Sequence, residues 1–168
     1  MNKPANANLF SRLFDGLDNP NRLAIEMLDG KRISYGDLIA LAGQMANVLV
    51  AGGVKPGDRV AAQTEKSVPG LVLYLATVRA GAVYLPLNTA YTLNELEYFI
   101  GDAEPSMVVC DPSKEEGIGA IAKKINARVM TLGAAARRHP SRMVRAHGIC
   151  DPRALRHDRN QHEHVESL

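Results

Sequence analysis

The chain has no tryptophan, three phenylalanines and five tyrosines among 168 residues. That scarcity argues against a nucleic-acid reader of the stacking type, which needs aromatic platforms for unstacked bases. Cysteine is scarcer still. Cys110 and Cys150 are the only two, so no disulfide framework is implied and a reducing compartment fits. No apolar run reaches the roughly 20 residues of a membrane-spanning helix, and no apolar stretch precedes a small-residue cleavage site at the amino end. A cytoplasmic protein without a membrane partner is the simplest expectation. Lysine is missing from the end of the chain, and histidine from its beginning. All seven lysines precede residue 134, whereas all five histidines follow it.

What is present is ordinary until that same point. A hydrophobic share of 46% and a charged share of 23% are those of a globular protein, and the length suits one domain. The formal net charge of +2 is unevenly spread. Residues 1–133 hold 13 Lys and Arg against 14 Asp and Glu, while residues 134–168 hold seven Arg against four acids.

Residues 76–112 set the pattern for the rest. Arg79, Ala80 and Gly81 close a helix, with Gly81 where a left-handed cap is wanted. Ala82, Val83, Tyr84 and Leu85 form a short apolar strand that Pro86 ends. Thr92 and Glu95 have capping-box spacing for a new helix, and Met107, Val108, Val109 and Cys110 make the next strand. This is the rhythm of a parallel α/β sheet. Before it, residues 8–17 read as a short amphipathic helix. Two short strands flank Leu28-Asp29-Gly30, a hairpin signal. Ser34 and Asp37 then cap a helix that Gly52 and Gly53 stop. Residues 59–62 form a strand, residues 63–67 the polar loop at its carboxyl end, and residues 68–80 a helix. Ser113 and Glu116 have capping-box spacing for a further helix, and residues 128–131 are the last strand candidate. The expectation is three helix-linked parallel strands after the hairpin, with residues 128–131 as a fourth.

After Gly133 neither helical nor alternating periodicity persists, and Arg, His and Pro accumulate. The expected division is an α/β unit at 1–133 and a disordered tail at 134–168. Selection on a linker favours Gly, Ser, Lys and Glu. The abrupt Arg-, His- and Pro-rich text is what a GC-rich gene yields out of frame, so the tail is read as a frameshifted translation.

Four stretches carry a resemblance: ISYGDL (33–38), VKPGDRVAAQTEKS (54–67), ATVRAGAVYLPLNTAYTLNELEYF (76–99) and DAEPSMVVCDPSK (102–114). Over residues 8–133 the chain resembles the start of the adenylate-forming synthetases, the superfamily of acyl-CoA synthetases and luciferases. Its wording is nearest to the malonyl-CoA synthetase branch. The resemblance implies the amino-terminal part of the large domain of an acid–thiol ligase. In that family ATP and magnesium serve to join a carboxylate to AMP, and coenzyme A then takes the acyl group. A small carboxylate, malonate or similar, is the implied substrate. Family members use a Ser/Thr/Gly-rich phosphate loop ending in Lys-Gly, an acidic ribose clamp and a Lys on a small carboxyl-terminal domain. None has a counterpart in this sequence. No catalytic residue is carried over, no cofactor is expected to bind tightly, and the chain is expected to be inactive alone.

Thr64, Glu65 and Lys66 are the weak candidates for ligand contact, because they sit in a loop at the carboxyl end of a strand. The alternative is that they only cap the helix starting near Ser67. Gly117 and Gly119, with Ala122, fit a dinucleotide fingerprint formally, but they follow the helix cap instead of preceding it. Small residues packing a helix on the sheet explain them better. Cys110 reads as a buried small hydrophobe, and Asn88 as a residue fixing its own loop. His157, His162, His164 and Cys150 lack the defined turns that a structural zinc needs, so no metal site is expected. The tail's weak basic stripe does not argue for nucleic acid. An open sheet edge makes self-association the expected interaction. The alternative function is a non-catalytic α/β interaction module or a nucleotide-binding module.

Overall fold

A computed structural model describes residues 7–132, so the tail, with its histidines and Cys150, lies outside the described residues. Helix α1 (Leu9–Phe14) is followed by strands β1 (Leu23–Glu26) and β2 (Arg32–Ser34), then helix α2 (Tyr35–Ala51). Strand β3 (Arg59–Gln63), helix α3 (Val68–Arg79), strand β4 (Val83–Pro86), helix α4 (Leu93–Ala103), strand β5 (Met107–Cys110), helix α5 (Glu115–Lys124) and strand β6 (Arg128–Thr131) complete it. The first two strands pair antiparallel as a separate hairpin. The other four form one parallel sheet in the order β4-β3-β5-β6.

Alternation along each strand divides the core into two. Val60, Ala62, Met107, Val109 and Met130 pack with residues of α2 and α3, whereas Ala61, Val108 and Cys110 pack with α4 and α5. Because helices cover both faces, β5 is buried along its whole length, the pattern of a parallel strand. The chain moves from β3 outward to β4, then returns past β3 to β5. The sheet therefore has a topological switch point between β3 and β5, where open α/β sheets place ligands at the carboxyl ends of strands.

Local chemistry explains the element ends. Ser34 accepts from the Asp37 amide and Asp37 answers the Ser34 amide, while Thr92 and Glu95 repeat the arrangement on α4. Gly53 and Gly81 leave α2 and α3 with φ of +87° and +75°, conformations that a Cβ disfavours. The amphipathic helix at the start is shorter than expected. Asn8 caps it, its side chain accepting from the amides of Phe10 and Ser11.

Three expectations need correction. The capping box on Ser113 and Glu116 does not form. Asp111 takes the Ser113 amide and hydroxyl instead, winding Pro112–Lys114 into a 3-10 turn, so α5 begins without a side-chain cap. An Asx residue before proline outcompetes the downstream serine because its carboxylate reaches an amide two residues on. Pro86 ends β4 as its last residue and not as the first residue beyond it, opposite Ala62, which the outer position of this strand permits. Gly117 does serve close packing, but its partner is Leu93 of α4, not the sheet. A Cβ there would stand 2.8 Å from a Leu93 methyl.

Candidate functional site

The carboxyl edge of the parallel sheet gathers three loops: residues 64–67 after β3, residues 87–92 after β4, and residues 111–114 after β5. The amino termini of α3, α4 and α5 open from the same edge, each bringing a partial positive charge. Thr64, Glu65 and Lys66 thus sit beside the switch point, but with different surroundings. The Thr64 hydroxyl bonds the Tyr84 phenol, whose pKa is raised by burial and drawn back by that bond. Glu65 and Lys66 are exposed. None of the three caps α3. That role falls to Ser67, whose hydroxyl accepts from the Gly70 amide at 3.2 Å and donates to the Glu65 carbonyl at 3.2 Å.

Three residues with roles at this edge escaped the sequence reading. Gln63 is 1% exposed although polar. Its amide nitrogen donates to the Asn88 carbonyl at 2.8 Å, and its oxygen accepts from Lys114 Nζ at 3.2 Å. Lys114 Nζ also donates to the Thr89 carbonyl at 2.7 Å. Asp111 holds the 3-10 turn that carries Lys114. The sequence did carry one signal for Gln63, a polar residue directly after an apolar strand. For Lys114 there was none, since its partners lie 51 and 25 positions away. Asn88 does fix its own loop, accepting from the Ala90 amide at 3.0 Å.

Cys110 ends β5 fully buried, and its thiol is pushed up to about 12, first by burial and then by Glu115 and Asp111, with Lys114 opposing. At neutral pH it is a thiol without nucleophilic character. Among the described residues no cluster of three or more His, Cys, Asp or Glu could hold a metal ion, and no helix is long and apolar enough to cross a membrane.

The crevice at the switch point, between Thr64, Glu65, Ser67, Pro69, Asp111 and Leu132, measures about 10 Å³. That admits one water at most and is far below the roughly 300 Å³ of a small-molecule site. The crevice at this edge is therefore too small for a nucleotide. A larger open groove of about 430 Å³ lies near the other end of the sheet, against α1. There Arg79 lies over the Phe10 ring at 4.8 Å and donates to the Ile39 carbonyl, contacts that seat α1.

A doubly covered parallel sheet with its capped loops gathered at one edge is the architecture of nucleotide-handling α/β proteins, and the comparisons narrow it. Residues 16–162 match the AMP-binding enzyme family, and the chain belongs to that family. Its fold is that of ATP-bound MatB from Rhodopseudomonas palustris, with a TM-score of 0.76 and 70% identity over 79% of this chain and 26% of that one. Apo MatB from the same organism aligns over 87% of this chain and 30% of its own, with 63% identity and a TM-score of 0.77. Among curated relatives, the "Probable CoA ligase CCL9" of Humulus lupulus is 32% identical over 111 residues, 66% of this chain and 21% of that protein. The chain thus spans between a fifth and a third of the length of these three relatives.

Proposed function

We propose that this chain is the amino-terminal layer of an ATP-dependent acid–CoA ligase of the malonyl-CoA synthetase type, and that alone it is catalytically silent. The identity with MatB carries the reading. At 70% over four-fifths of the chain, it is more than twice that with the curated CoA ligase. The edge itself supports the reading of silence. Adenylation needs amides and a cation preorganised around transferring phosphates, and a 10 Å³ crevice leaves them no place. ATP, magnesium and coenzyme A are accordingly the cofactors of the whole ligase, malonate or a similar carboxylate is its substrate, and the cytoplasm its compartment. Purified chain supplied with ATP, magnesium, malonate and coenzyme A releases no pyrophosphate above background. Turnover that persists after contaminating synthetase is removed contradicts this.

Two further proposals belong to the reading. Strands β4 and β6 each have one neighbour among the described residues, and Val83 on β4 is 51% exposed. Unpaired edges of this kind template pairing with another chain, so the protein self-associates. A monodisperse monomer in sedimentation velocity at micromolar concentration would count against this. The second concerns residues 134–168, which we read as out-of-frame sequence. The proposal rests on composition, the loss of Lys and the gain of Arg and His after residue 133, and not on extent, since the family match runs on to residue 162. Sequencing the locus decides it, since another frame should restore a phosphate loop soon after the codon for Gly133.

A further inference from the structure

The carboxyl edge contains a cation whose role neither a helix cap nor an ion pair explains. Two salt bridges are found among the described residues, Arg32 with Glu26 and Lys124 with Glu97. Lys114 is in neither. It is half-buried at the head of α5, a helix terminus where a positive side chain is electrostatically disfavoured. It turns instead to two neutral oxygens, Gln63 Oε1 at 3.2 Å and the Thr89 carbonyl at 2.7 Å. Gln63 in turn holds the Asn88 carbonyl at 2.8 Å. The carboxyl end of β3 and the loops after β4 and β5 are thereby tied at one point. The tie also keeps the buried Gln63 satisfied on both sides, in keeping with the absence of unpartnered buried side-chain polar atoms among the described residues. Without the lysine, Gln63 Oε1 would be left unpaired at a buried position, a penalty larger than the loss of an ordinary hydrogen bond.

We propose that Lys114 is the positioning residue that, with Gln63, pins the loops after β4 and β5 to the carboxyl end of β3, beyond what strand pairing alone fixes. The proposal deepens the ligase reading by naming what preorganises the ligand-facing edge, but it concerns the loops of this chain and not turnover. The β4–α4 loop is the part most dependent on the tie. Its own local bonds are those of the Ala90 amide to Asn88 Oδ1 and the Tyr91 amide to the Asn88 carbonyl. Both converge on Asn88, the residue that Gln63 grips.

Native-state amide hydrogen exchange on the full chain tests this. In Lys114→Met, which keeps the stem and removes the donors, Ala90 and Tyr91 should exchange at least tenfold faster. The sheet amides of Val108 and Val109 should stay within about twofold. Lys114→Arg, which restores donors, should return Ala90 and Tyr91 most of the way. Uniform acceleration across loops and sheet would make Lys114 an ordinary stability residue, and no acceleration at Ala90 and Tyr91 would remove the tie altogether. Either overturns the proposal. If Lys114→Met does not fold, reductive methylation of the unsubstituted chain decides. Lys114 should be modified at least tenfold more slowly than the exposed Lys55 and Lys66, and equal rates overturn the proposal. A failure here leaves the ligase reading standing, because that reading rests on the identity with MatB and not on these loops.

Discussion

The two ends of the parallel sheet are both rich in charge and use it differently. At the amino end the cations meet helix carboxyl termini. Arg128 Nη1 donates to the Gly52 carbonyl at 2.6 Å, where α2 finishes, and Arg59 Nη1 donates to the Ala103 carbonyl at 3.0 Å, where α4 finishes. Carbonyls left open at a helix end carry partial negative charge, so each arginine satisfies an acceptor and a dipole together. Backbone bonds complete the stitching, from Gly57 to Gly81, Val83 to Asp58 and Arg128 to Ser106. At the carboxyl end the helices present their amino termini, and Lys114 rests on neutral oxygens among them. One end uses charge to close the structure. The other gathers positive character at the edge where ligands meet this class of sheet.

That contrast predicts unequal damage. The largest effect should come from the amino end, with Gly53→Ala. The residue has φ of +87°, and a Cβ would stand 3.1 Å from the Arg128 guanidinium. Strain at a left-handed position together with a displaced arginine costs about 2 kcal/mol, seen as a lower urea midpoint with every probe moving together. A smaller loss is expected from Thr92→Ala at the carboxyl end. It removes the α4 capping box and costs about 1 kcal/mol, with faster amide exchange concentrated in the first turn of α4. Equal and global losses from both substitutions would break the comparison.

Acid sharpens it further. Glu95 is held below its ordinary value by the Thr92 amide first and the Thr92 hydroxyl second. Asp37 is lowered in the same way, by the Ser34 hydroxyl first and then its amide. A carboxyl with a depressed folded value contributes stability that is full above its unfolded value and lost as pH falls through the folded one. The chain should therefore weaken below about pH 4.5, and Glu95→Gln should blunt that slope slightly. Both carboxyls are solvent-exposed, so screening keeps the effect the smallest of the three. Urea midpoints between pH 3 and 6 measure it, and an unchanged slope in Glu95→Gln contradicts the cap's role.

How much of this was legible in the sequence follows the range of the interactions. Caps act over three residues, so Ser34 with Asp37 and Thr92 with Glu95 could be read from spacing alone. Continuous apolar text marked β5, because a strand covered on both faces has no polar side to show. The box on Ser113 failed because a second local rule, the Asp111 turn before Pro112, competed for the same amide. Strand order was invisible, since nothing local says that β3 lies between β4 and β5. The edge's main polar tie was invisible for the same reason. Gln63 and Lys114 are 51 positions apart and meet only once β3 and β5 pair. Thr64, Glu65 and Lys66 drew attention by their loop, while the residues that tie the edge together, Gln63 and Lys114, lay one position before and 48 after that run.

Whether the ordered carboxyl edge takes a nucleotide is tested most directly by titration with magnesium–ATP. Amide chemical shifts of the uniformly labelled chain would be followed at residues 63–67, 88–92 and 111–114. The account predicts no saturable shift at any of these residues up to millimolar nucleotide. Saturable movement of these three loops together at micromolar ATP would contradict it and make the chain a nucleotide-binding protein in its own right.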